Sequence, residues 1–354
     1  MKRRSRAWLT AGAAVAALLA LGGCLGSGDD KWKEPDKGQA EALLSTDNGH
    51  GGSSGAAWLA FDGDPDGLTV GPDGKVYGLA TSLAVIEGHK ARTILNSEVH
   101  GAGGLVVLSP NSFVVGAHAQ LLNMKPGGEQ TALAGVSGTS RKPGQPVPAT
   151  TSAKTFPLTT GRIEPFGRRS DGSVLFADGD VIWRLKADRL TRLYQAPRNK
   201  KGKVQQIIDR GSAVDHSGTV YLRTAEDGLS GRLGDVVSVH EDGSVQKLAL
   251  PKHVSGVKGN LASLGVTWMA GDGSNGVYVR ARDESAGYVL HVTSGKAELV
   301  ARQISGGDSD SGCKEGYSVD ALKLPCTMPE ALTYSAGSLI MAGHARFVLK
   351  IATK

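Results

Sequence analysis

Glu164-Pro165-Phe166-Gly167-Arg168-Arg169-Ser170-Asp171-Gly172-Ser173-Val174-Leu175-Phe176-Ala177-Asp178, continued by Val181-Ile182-Trp183-Arg184-Leu185 and Arg189-Leu190-Thr191-Arg192-Leu193-Tyr194, decides the fold. It reads as four short strands. The first runs into Ser170-Asp171-Gly172, a tight turn in which glycine supplies the positive φ that a hairpin requires. Val174, Leu175 and Phe176 carry the second strand. Val181–Leu185 and Leu190–Tyr194 are the third and fourth. A unit of four short strands cannot bury its own faces, so copies must pack side by side.

Variants of the unit fill most of the chain. Before it stand Gly67-Leu68-Thr69-Val70-Gly71-Pro72-Asp73-Gly74-Lys75-Val76-Tyr77 with Ser82–Ile86 and Ala91–Leu95, then Gly104–Leu108 with Phe113-Val114-Val115, Gln120–Met124 and Gln130–Ala134. After it come Ser212–Leu222 with Val236–His240 and Val245–Leu250, then Val266–Ala270 with Gly276–Val279, Tyr288–Thr293 and Ala297–Ala301. The last unit, Ala331–Met341 with Phe347–Ile351, stops at Lys354 after three strands. A closed ring completes such a blade with a strand from the other end of the chain, which removes two sheet edges that invite aggregation. Ala56-Ala57-Trp58-Leu59-Ala60-Phe61 is the expected donor. The expectation is an all-β domain over residues 55–354: a six-bladed β-propeller of four-stranded blades, closed by strand exchange between the termini. Uneven spacing between turns keeps seven blades as the rival.

The N-terminus reads as an address. Lys2, Arg3, Arg4 and Arg6 precede an apolar stretch from Trp8 to Leu21, too short to span a bilayer comfortably. Leu21-Gly22-Gly23-Cys24 resembles the lipobox of bacterial lipoproteins. The resemblance implies a signal peptide over 1–23, lipidation of Cys24, membrane attachment through that lipid, and a place on the outer face of the bacterial cytoplasmic membrane. Sec and Tat export both stay open, since Arg3-Arg4 suggests a twin-arginine signal but Arg6 stands where an apolar residue is expected. Residues 24–54 are polar apart from Glu41-Ala42-Leu43-Leu44, which reads as a brief helical turn, and are expected to be a solvated tether.

The 354 residues carry a formal charge of +6, and removing Lys2, Arg3, Arg4 and Arg6 with the signal leaves +2. Nucleic acid is therefore not an expected partner. Two cysteines remain beside Cys24. Cys313 and Cys326, 13 positions apart in an exported chain, are expected to form a disulfide.

The phrase Gly-apolar-x-apolar-x-x-Asp-Gly-x-Val-Tyr at Gly67–Tyr77, with Thr131-Ala132-Leu133-Ala134-Gly135 and the Gly/Pro/Ala-rich run after it, resembles the NHL repeat. The resemblance covers residues 66–352. It implies a propeller and, by analogy with NHL sensor domains outside the bacterial membrane, a monomeric binding or scaffold module for envelope or protein partners. Phe166-Gly167-Arg168 and the long turn Gly271–Gly276 depart from the repeat.

The long insertions 135–160, 195–210, 251–264 and 302–328 all connect blades. They share one face with the turns between second and third strands, so that face is the natural binding surface. Its candidate rim comprises Asp66, His118, Glu164, Asp178, Arg223, Arg280, Arg282, Glu330 and His344. Asp62, Asp64, Asp66 and Asp73 have the spacing of a calcium loop, but no flanking helices are predicted and Asp73 already belongs to a hairpin. No cofactor is otherwise expected. The sequence has no His-Glu-x-x-His and no Cys-x-x-Cys, and an enzyme is not the first expectation. The alternatives are a metal-dependent propeller enzyme of lactonase or lyase type at the channel mouth, and a small-molecule or glycan receptor.

Overall fold

The computed structural model describes residues 34–45, 55–61, 65–95, 103–117, 119–208, 210–225, 231–303, 312–345 and 347–354. The signal peptide, Cys24, Asp62, Asp64 and His118 lie outside the described residues.

Six antiparallel blades form a ring. Blade one is Gly67–Val70, Val76–Leu79, Leu83–Glu87 and Lys90–Leu95, and blade two is Gly103–Ser109, Ser112–Ala117, Gln120–Met124 and Gln130–Ala134. Blade three is Ile163–Arg168, Val174–Asp178, Val181–Lys186 and Arg189–Gln195, edged by Thr150–Ser152. Blade four is Ala213–Val214, Val220–Leu222, Val237–Val239 and Val245–Lys247; blade five is Gly265–Gly271, Val277–Arg282, Gly287–Thr293 and Lys296–Arg302. Blade six is Ala331–Ser335, Ser338–Ala342 and Phe347–Ala352, completed by Gln39–Ser45 and edged by Val319–Asp320. Each inner strand packs against the next around the ring, and the last packs against the first. This is a six-bladed β-propeller, and the seven-bladed rival is set aside.

Blade three shows why these sequences make blades. Its residues alternate in direction along each strand, and both directions are buried. Val174, Phe176, Trp183 and Leu185 join Val106, Val114 and Leu121 of blade two in one core. Leu175, Ala177 and Ile182 join Val220, Leu222 and Val239 of blade four in another. A strand buried on both faces reads as a continuous apolar run, which is how Val174-Leu175-Phe176 stood out in the sequence.

Ring closure follows the expected principle with a different segment. Gln39–Ser45 is the closing strand, antiparallel to Phe347–Ala352 with Ala40 opposite Ile351 and Ser45 opposite Phe347. The folded domain therefore begins inside the stretch assigned to the tether. Glu41, Ala42, Leu43 and Leu44 have helical propensity, but pairing and burial against blade six override it. Ala56–Phe61, the expected donor, instead forms a helical turn, Gly55–Trp58, and Phe61 that follows it is fully buried. Phe61 fits because Gly78 has no side chain: a Cβ there would stand 2.5 Å from its ring. The expected disulfide is present between Cys313 and Cys326, with Cα atoms 5.5 Å apart.

Candidate functional site

The inner strands enclose a central channel containing a cavity of about 340 Å³. Its wall is mixed: Leu68, Val107, Val214, Trp268, Met269 and Leu332 line it together with Asp66, Thr69, Glu164, Arg168, Arg210, Ser212 and Thr333. Asp66, Glu164, Arg210 and Ser212 stand at the end where the inner strands begin.

That mouth is built from the residues that precede or open the strands. Asp66 stands just before Gly67–Val70. Its N–H donates to Leu79 O at 2.7 Å and its carbonyl accepts from Gly104 N–H at 3.0 Å, tying blade one to blade two. Gly104 has φ +62°, and a Cβ there would come 2.2 Å from Pro165 O. Only glycine allows this approach of blades two and three. The Asp66 carboxylate accepts from Arg210 Nη2 at 3.0 Å and also from Arg162 Nη2. Arg162, Asp66 and Arg210 are only 26%, 24% and 17% exposed, so these charges are neutralised in a partly dry setting. Arg210 has φ +58°, a conformation that costs a non-glycine residue on the order of 1–3 kcal/mol. Its N–H donates to Glu164 Oε1 at 2.5 Å, which holds the backbone there. Ser212, two residues on, lines the cavity, and its buried Oγ has no hydrogen-bond partner among the described residues.

Two of the expected rim residues, Asp66 and Glu164, thus come together. Arg162 and Arg210 are the partners that sequence reasoning missed. The available signal was positional: Arg162 and Arg210 occupy the same strand entries that singled out Asp66 and Glu164.

Arg223 lies close behind this cluster but serves the scaffold. It is fully buried and donates from Nη1 to Val266 O at 2.5 Å and Gly231 O at 3.3 Å. Burial pulls its pKa down to about 10 against the attraction of Glu164 and Asp235. Arg280 does the same between blades five and six, donating to Pro329 O, Met328 O and Ala281 O at 3.1, 3.2 and 2.7 Å. Burial lowers its pKa too, with Glu330 opposing. Glu330 keeps a buried Oε2 without a hydrogen-bond partner among the described residues.

Asp178 is fully buried and spent on structure. It accepts from Arg141 Nη2 at 2.9 Å, Trp183 Nε1 at 3.1 Å and the Thr159 N–H at 2.7 Å. Arg141 also donates to Asp180 at 3.0 Å, so the pair of carboxylates pins the 135–160 insertion onto blade three. Arg282 and His344 are exposed on the rim, apart from this cluster.

The two described members of the calcium spacing lie at opposite ends of Gly67–Val70. Asp66 is held by two arginines, whereas Asp73 accepts from Tyr77 Oη at 2.9 Å. Among the described residues no three His, Cys, Asp or Glu side chains converge on one point. A metal enzyme at this mouth would need Asp66, Glu164 and Glu330 around one ion, and Asp66 is already engaged.

No family model and no curated protein sequence matches the chain. Solved structures do match its fold. A protein of unknown function from Bacteroides thetaiotaomicron superposes with a TM-score of 0.55 at 12% identity, over 89% of this chain and 75% of that one. An auxiliary nutrient binding protein from the same organism gives 0.50 at 12% identity, over 88% and 75%. A gluconolactonase from Xanthomonas campestris gives 0.48 at 11% identity, over 84% and 88%. At these identities the likeness concerns the fold alone.

Proposed function

We propose that this chain is a small-molecule receptor that takes its ligand in the central channel, carried on the outer face of the bacterial cytoplasmic membrane by lipid at Cys24. The observation that supports it is the channel itself. It combines a cavity of about 340 Å³, lined by both apolar and polar groups, with a charged mouth at which the Ser212 hydroxyl is buried and, among the described residues, without a hydrogen-bond partner. Small-molecule sites are concave and carry a few placed polar groups that fix orientation, and this channel has both. A buried hydroxyl without a partner costs about 1–3 kcal/mol, which a ligand hydrogen bond recovers. Among the proteins of like fold is one that binds a nutrient. The scaffold role expected from the repeat resemblance gains no comparable support, since it requires no cavity.

The test is a melting-curve screen of the 34–354 domain against small sugars, organic acids and lactones. A ligand for the channel raises the melting temperature, by the linkage between binding and stability. Thr69 lines the cavity and is half-buried. Thr69→Trp fills the space and is expected to abolish the shift while the domain still folds. A shift that survives in Thr69→Trp places the ligand elsewhere and removes this reading.

A further inference from the structure

The charge of this propeller is unevenly distributed. Residues 130–163 and 189–208 hold ten Lys and Arg and no Asp or Glu. The remainder of the chain after residue 33 holds 24 Lys and Arg against 32 Asp and Glu. A net charge near zero thus conceals two basic segments in an otherwise acidic domain. The fold puts them side by side, because Thr150–Ser152 pairs with the outer strand of blade three, Thr150 opposite Thr191 and Ser152 opposite Arg189.

Three of the ten cations are internal to the structure: Arg141 on Asp178 and Asp180, Arg162 on Asp66, and Arg192 on Val147 O at 2.8 Å. Lys142, Lys200, Lys201 and Lys203 are exposed on two adjoining loops. Hydrogen bonds join those loops. Asn199 Oδ1 accepts from the N–H groups of Lys201 and Lys203, both at 2.9 Å, which shapes the lysine turn. Arg198 braces it, donating from Nη1 to Gly202 O at 2.9 Å and from Nη2 to Gly144 O at 3.3 Å. Gly144 N–H donates to Asp180 Oδ2 at 3.0 Å, so the second loop is fixed to the core of blade three. Among the described residues Lys142, Lys200 and Lys201 have no ion-pair partner.

We infer that this ledge binds a linear phosphate-bearing polyanion. The arginine of the turn is spent on bracing it, and the groups presented outward are lysine ammoniums. These are compact point charges, which bind phosphate oxygens without demanding one fixed geometry. A cluster of such charges on a domain otherwise net negative gives a local attraction without whole-molecule basicity. A bilayer is the less suitable occupant. Asp180 lies in the turn between second and third strands, so the ledge is on the mouth side of blade three. The N-terminal strand enters the ring from the other side, since Gln39 lies at the far end of the closing strand from Ser45, which faces Phe347 at the mouth side. The inference is independent of the channel ligand.

The experiment uses the 34–354 domain and end-labelled long-chain inorganic polyphosphate, with binding followed by fluorescence anisotropy. Engagement of about four phosphates predicts a slope of about −3 in log K against log salt, or roughly fifty-fold between about 50 and 200 mM. Lys142→Gln, Lys200→Gln, Lys201→Gln and Lys203→Gln combined should weaken binding at least tenfold at the lower salt. Lys247→Gln, Lys258→Gln, Lys296→Gln and Lys323→Gln combined removes the same charge from exposed positions elsewhere and should change it less than about twofold. Melting curves confirm folding of both variants, which touch only exposed side chains. Equal loss in the two variants, or no polyphosphate binding by the parent domain, overturns the inference. So does tighter binding to poly-glutamate, or to phosphatidylglycerol vesicles, than to polyphosphate.

Discussion

Glu41 shows how one residue records the cost of closing the ring. It sits in the closing strand, 2% exposed, where Ser318 Oγ donates to Oε2 at 3.4 Å. Burial pushes its carboxyl above the ordinary glutamate range; Ser318 and Lys350 pull it down, and repulsion from Glu34 adds to the rise. The folded chain therefore holds this proton more tightly than the unfolded chain. Its contribution to stability is fully present below the unfolded pKa and is lost as pH rises through the folded pKa. Glu41→Gln removes the ionisation but keeps an acceptor for Ser318. We expect its melting temperature to exceed that of the parent by roughly 2–4 °C at pH 7, with the gap closing as pH falls from the raised folded pKa to the ordinary glutamate value. A lower melting temperature at pH 7 would mean that the carboxylate, with Lys350 opposite it, is net stabilising. The same scale explains which rim residues could be read in advance. Asp66 and Glu164 were visible because strand entries lie at the channel. Asp178 was misplaced because its partner, Arg141, comes from a glycine- and proline-rich insertion whose path no periodicity reveals.

At the scale of elements, the blades were legible and the closure was not. Turn glycines and doubly buried apolar runs are local signals, and Val174–Asp178 or Val277–Arg282 carry them openly. The closing strand carries none, since Gln39-Ala40-Glu41-Ala42-Leu43-Leu44-Ser45 becomes a strand only through a partner some 310 residues away. The disulfide was legible from spacing, but what it does was not. The loop it closes carries Val319–Asp320, which pairs with Gln39 and Ala40, and Ala321 N–H donates to Gly38 O at 2.9 Å. Glu315 in the same loop forms a bridge to Ala42. The bridge Cys313–Cys326 therefore covers the outer edge of the closing strand and holds it in the ring. Cys313→Ser with Cys326→Ser should lower stability by about 3 kcal/mol, the scale for a loop of this length. Hydrogen exchange should quicken first at residues 39–45. Uniform loss of protection over all six blades would show that the disulfide acts on the unfolded chain alone.

For the whole molecule, the direction of the closing strand decides at which face of the ring the chain enters. Successive strands of a blade run in opposite senses. The inner strands start at the mouth, so the fourth strand of blade six starts at the opposite face and ends at the mouth side. Gly38 N–H donates to Ala352 O at 2.9 Å, which places the entry of the chain at that opposite face. Between Cys24 and Gln39 stand 14 residues, which reach at most about 50 Å when fully extended. With lipid on Cys24, the face bearing the first hairpins is expected nearer the bilayer, with the channel mouth and the lysine ledge turned away from it. Ser170 lies in the hairpin of blade three, and Thr160 lies beside the mouth; both are exposed. Donor dyes on Ser170→Cys and on Thr160→Cys, with acceptor lipid in reconstituted vesicles, separate the two faces. More energy transfer from Ser170→Cys is expected, because its face adjoins the tether. Equal transfer from both would mean that the tether lets the ring tumble freely, and stronger transfer from Thr160→Cys would place the mouth against the membrane. On the proposed reading, a mouth turned away from the bilayer would leave the channel open to the ligand that the receptor is to take.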